Sequence, residues 1–143
     1  MKKSKDFKPM PNAPATDVAV NWLAESLRDE LLEYGQLLEL LREQQQLIHA
    51  EDLGGLARNI GDVEGQSRKV AAYAQQRDYW LAATRRWIGA DENVPWEDLI
   101  DRLPPEDQLL LAALAAEVNH ALETIQALLR QNQQLNVRAM GLR

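Results

Sequence analysis

A chain of 143 residues, 45% of them hydrophobic, has the size of one domain and enough apolar side chains for a continuous core. Its formal charge of −6, from 16 Lys and Arg against 22 Asp and Glu, repels phosphate backbones and anionic headgroups, so nucleic acid is not an expected partner. The absence of cysteine excludes disulfides and thiolate chemistry and is compatible with a cytoplasmic location. With no uninterrupted apolar run near 18 residues, a soluble chain without membrane insertion is expected.

Residues 1–15 carry Lys2, Lys3, Lys5 and Lys8, followed by Pro9, Pro11 and Pro14, with no apolar run of signal-peptide length. Few large apolar residues are present to offset ordering entropy, so a flexible tail is expected here, followed by a single helical domain over 16–143. Thr16 or Asp17 is a suitable N-cap for a first helix. Val20, Leu23, Leu27, Leu31, Tyr34, Leu38, Leu41 and Ile48 then form a heptad seam broken only by Gln45. Leu32, Leu37, Leu40 and Leu47 widen the stripe, which predicts more than one helical neighbour and hence a bundle rather than a two-stranded zipper.

The pattern changes register between His49 and Asp52, and Asp52 is a plausible cap for a second helix with a seam of Leu53, Leu56, Ile60, Val63, Val70, Ala74 and Leu81. Ser67 and Arg77 interrupt this seam. Gly54, Gly55, Gly61 and Gly65 each cost about 0.8–1 kcal/mol relative to Ala in a helix interior, so this is the weakest of the long helices. Gly89 suits the left-handed position that closes a helix. After a loop, Pro95 and the face Trp96, Leu99, Ile100 and Leu103 predict a short helix that Pro104 and Pro105 end. Pro105, Glu106 and Asp107 open a third long helix in favourable order for its dipole, with a seam of Leu111, Leu114, Val118, Ala121, Ile125, Leu128, Asn132 and Leu135, running weakly to Ala139 and Leu142. The expected fold is all-α: an elongated antiparallel bundle of three long helices plus one short helix.

No residue pattern names a reaction. His49 and His120 have no second ligand at metal-binding spacing, so no metal is expected. His120 invites comparison with a phosphotransfer histidine, but Glu123, three residues on, would repel a phosphoryl group. The acidic pairs Glu25 with Asp29, Asp91 with Glu92, and Glu106 with Asp107 suit solvated faces and helix starts better than general acid–base work. Catalytic residues, cofactors and an enzymatic activity are therefore not expected.

The third long helix is the most informative element, because Leu128, Leu129 and Leu135 are interleaved with Asn132 and Asn136. Two readings stay open from the residues alone: a fraying helix end, or a face that awaits another helix, with Asn setting the register. The runs LLEYGQLLELLREQQQLIHAED from Leu31 and ALLRQNQQLNVRAMGLR from Ala127, with Arg68, Lys69 and Arg77 between them, resemble the FlgN family of flagellar export chaperones. The likeness covers roughly Asn21 to Arg143. It implies a cytoplasmic chaperone, monomeric or weakly dimeric, that binds the C-terminal amphipathic helices of the hook–filament junction proteins FlgK and FlgL and keeps them export-competent for the type III apparatus. The matching client-binding positions are Leu122, Ile125, Leu128, Leu129, Asn132, Leu135 and Asn136. The competing reading is a self-associating helical adaptor or structural coiled coil built from the same seams.

Overall fold

A computed structural model describes residues 16–141. The tail expected over 1–15, the far end of the last seam at Leu142, and the capping side chains expected at Thr16 or Asp17 lie outside the described residues. Four helices follow in chain order: α1 (Thr16–Ala50), α2 (Leu53–Ile88), α3 (Trp96–Asp101) and α4 (Pro105–Gly141). Among the described residues there is no strand, and the three long helices and one short helix expected from periodicity are present.

The boundaries follow local chemistry. At the end of α1, the Asp52 N–H donates to the Leu47 carbonyl and the Glu51 N–H to that of Ile48, both at 3.1 Å. This bond pair closes a helix through one left-handed residue, which is Glu51 at φ 56°. Asp52 then caps α2, its Oδ1 accepting from the Gly55 N–H at 2.9 Å. The end of α2 repeats the motif: Ala90 N–H donates to Arg85 O at 2.9 Å and Gly89 N–H to Arg86 O at 3.3 Å, with Gly89 at φ 71°. Pro95 stands in extended conformation before α3, and Glu106 and Asp107 occupy the first turn of α4.

Packing divides the chain into two compact units. The first joins the described residues through Asp29 with Tyr73–Ala116, the second Glu30–Ala72 with the chain from Glu117 onward. In the first unit Val20, Leu23 and Leu27 of α1, Leu81 and Ala83 of α2, Leu99 and Ile100 of α3, and Leu111 and Leu114 of α4 are buried, with Leu103 just beyond α3. This is an apolar core to which all four helices contribute.

The second unit is built differently. Tyr34, Leu37, Leu41 and Ile48 from α1 and Val118, Ala121 and Ile125 from α4 are buried, but the buried side chains of α2 here are Asn59 and Gln66. Gln66 donates to the carbonyl and side-chain oxygens of Glu33 at 3.0 and 2.8 Å, and Asn59 to Leu40 O and Glu43 Oε1 at 2.9 and 2.8 Å. Residue numbers fall along α2 as they rise along α1, so the two helices are antiparallel in this unit. The seam expected for α2 is corrected accordingly: Leu53 and Ile60 are exposed, at 78% and 43%, while Gly55, Asn59 and Gln66 face inward. Leu32, expected to broaden the stripe of α1, is also exposed. The seams of α1 and α4 are otherwise buried or half-buried as their spacing requires.

Candidate functional site: the outward side of α4 in the second unit

From Glu117 onward α4 shows three columns at heptad spacing. Ile125 and Asn132 are buried, Leu128 and Leu135 half-buried, and in the column Leu122, Leu129 and Asn136 the first is half-buried and the other two exposed. The seven positions singled out from sequence therefore do not share one surface. Leu129 and Asn136 are open to solvent, Leu122, Leu128 and Leu135 border that surface, and Ile125 and Asn132 belong to the interior of the unit.

Asn132 explains why α4 holds this orientation. It is 3% exposed, and its Nδ2 donates to the Leu41 carbonyl at 2.9 Å and to Gln44 Oε1 at 3.0 Å. Asn59 of α2 grips the neighbouring carbonyl, Leu40 O, and the side chain of Glu43, three residues further along α1. Two helices are thus pinned to adjacent peptide units of α1 by the same arrangement, an amide that spans a carbonyl and a side-chain oxygen one turn on. Such bonds define axial register, because sliding α4 by one residue would leave a buried amide without acceptors. A solvent-side bond, Gln45 Nε2 to Gln131 Oε1 at 3.2 Å, supports the same level.

Near the turn between α1 and α2 lies an apolar cavity of about 290 Å³, lined by Leu47 and Ile48 of α1, Glu51, Leu53 and Leu56 beside and within the start of α2, and Asn136 and Ala139 of α4. Of the positions singled out from sequence, only Asn136 lines it. Leu53 contributes its largely exposed side chain, and Glu51 the left-handed backbone of the turn. Sequence reasoning placed Leu47, Leu53 and Leu56 in bundle seams; the overlooked signal was an apolar side chain at a capped helix start, where a solvated turn has no use for one. On α4 the exposed surface continues through Val137, which is 63% exposed.

His49 and His120 are exposed, and among the described residues no three His, Cys, Asp or Glu side chains gather as a metal site. Thr124, one turn beyond His120, donates its hydroxyl to the His120 backbone carbonyl at 2.9 Å. Among the described residues no helix is long and apolar enough to cross a membrane. The site offers apolar side chains, carbonyl and amide dipoles, and a turn of chain, which suit the capture of an amphipathic helix.

Comparison with curated proteins and with solved structures gives no match. The model of one family, described as FlgN protein, matches residues 19–142, which takes in all of α2, α3 and α4 and nearly all of α1. The chain belongs to the FlgN family of flagellar export chaperones.

Proposed function

We propose that this chain is a cytoplasmic chaperone of type III flagellar export that binds the C-terminal amphipathic helices of FlgK- and FlgL-like hook–filament junction proteins, acting by binding alone. The observation that carries this reading is the exposed apolar surface of α4 beside the cavity at Leu47, Ile48, Leu53 and Leu56, on a helix whose other side Asn132 pins inward. Family membership supports the general role, and the local chemistry supports this place for the client.

An amphipathic helix laid along α4 would meet Leu122 and Leu129 in one column, Leu128 and Leu135 at its edge, and Asn136 as a polar partner at the cavity mouth. Each leucine taken fully out of water contributes about 1.5–3 kcal/mol, and several are needed because association itself costs about 4–15 kcal/mol. A client helix whose apolar stripe is covered in this way cannot pair with other subunits, and the export apparatus would receive it unassembled. Ile125 and Asn132 serve the client indirectly, by fixing the register that presents the outer column.

Calorimetric titration of the purified chain with synthetic C-terminal helices of the hook–filament junction proteins, with light scattering for stoichiometry, tests the reading. Saturable one-to-one binding to a monomer, with a negative heat-capacity change from apolar burial, is expected. Absence of binding together with a stable homo-oligomer would overturn it in favour of a self-associating adaptor.

A further inference from the structure

The first unit exposes an aromatic platform that the client face does not use. Trp22 of α1 stacks on Trp80 of α2 with ring centroids 5.7 Å apart and planes 10° from parallel, and Tyr79 meets Trp80 edge-on at 5.0 Å and 86°. Trp22 is 53% and Tyr79 60% exposed, so two large rings held in fixed mutual geometry face water. Rings arranged in this way bind extended proline segments well, because the ligand is already stiff and the flat pyrrolidine faces pack on aromatic faces at little entropic cost.

The chain carries such a segment immediately before α1: Lys8-Pro9-Met10-Pro11-Asn12-Ala13-Pro14. Trp22 lies six residues into α1, about 9 Å along its axis at 1.5 Å per residue. Seven residues in polyproline II conformation span about 22 Å at 3.1 Å per residue, long enough to turn back across the platform. Charge is complementary as well: Lys5 and Lys8 precede or open the segment, while Glu25, Asp29 and Asp78 are exposed near Trp22 and Tyr79 in sequence. Glu25 lies 3.5 Å from Arg28 and Asp78 3.4 Å from Arg77, but these carboxylate side chains are 61% and 68% exposed and can accept a second cation.

We propose that the platform formed by Trp22, Trp80 and Tyr79 is a docking site for a proline-rich extended segment, and that its occupant is this chain's own Lys8–Pro14. Tethering makes the contact intramolecular, so an individually weak interaction is held at an effective concentration on the order of millimolar. The site is independent of the client reading, since it lies in the other unit and uses no residue of α4.

The test uses the full chain. Its four tryptophans give four indole N–H signals that Trp→Phe substitutions assign, and the triple variant Pro9→Ala, Pro11→Ala, Pro14→Ala removes the three pyrrolidine rings while leaving the sequence of the four described helices unchanged. The expected result is a shift of the Trp22 and Trp80 signals with Trp96 unmoved, and stronger acrylamide quenching of Trp22. Lys5→Glu with Lys8→Glu should move the same two signals in the same direction. Unchanged Trp22 and Trp80 signals in the triple variant would overturn the proposal. Signals that move with protein concentration in the unaltered chain would also overturn it, by assigning the platform to a second copy.

Discussion

At Asn132 a side-chain amide occupies a position where heptad spacing would place leucine, and its two donated bonds to Leu41 O and Gln44 hold α4 against α1. Replacement by Ala removes both bonds and leaves the Leu41 carbonyl and the Gln44 side chain without that donor. Asn132→Ala should lower unfolding stability by about 2 kcal/mol, read from the midpoint of chemical denaturation at unchanged slope, and Gln44→Ala should cost less in that background than in the unaltered chain. The sequence marks Asn132 as a seam polar residue in need of a partner but is silent on where that partner lies. Spacing identifies a face to be covered, and only the structure shows that α1 covers it. Leu129 is the converse case: it sits in the same run of residues, yet it is 45% exposed and free of that duty.

Among the elements, α1 and α4 are legible from sequence and α2 only in part. The two ends of α2, the start and end of α3 and the start of α4 were readable because each is marked by a residue with one dominant conformational use, Asp52 as a cap, Gly89 at positive φ, and the prolines at 95, 104 and 105, whereas Glu51, which closes α1 at positive φ, carries no such mark. The inward side of α2 in the second unit was not readable, since a search for apolar columns passes over Gly55, Asn59 and Gln66 and settles on Leu53 and Ile60. Burial here is sustained by hydrogen bonds to α1, and hydrophobic period carries no trace of those. The glycines divide on the same physical grounds. Nothing lies within 4 Å of a Cβ added at Gly61, whereas one at Gly55 would stand 2.7 Å from the Asp52 carboxylate and 2.8 Å from Leu47. Gly61→Ala should therefore stabilise the chain by up to about 1 kcal/mol, and Gly89→Ala, at φ 71°, should destabilise it by at least about 1 kcal/mol. Thermal unfolding of the two variants, with shifts of opposite sign, checks both.

In the molecule as a whole, the two units differ in what holds them and in what they expose. The first unit has an apolar core to which all four helices contribute and an outer aromatic platform; the second is registered by amides and presents the surface we assign to the client. On the reading proposed above, the outward column of α4 binds the client helix while the inward column holds the fold. The most direct test is calorimetric titration of Leu129→Asp with the C-terminal client helices, beside the unaltered chain. The expected result is a thermal midpoint within a few degrees of the unaltered chain and an affinity reduced by about 30-fold or more, the loss of an interface anchor worth roughly 2 kcal/mol. Undiminished affinity in the folded variant would contradict the assignment of this face to the client.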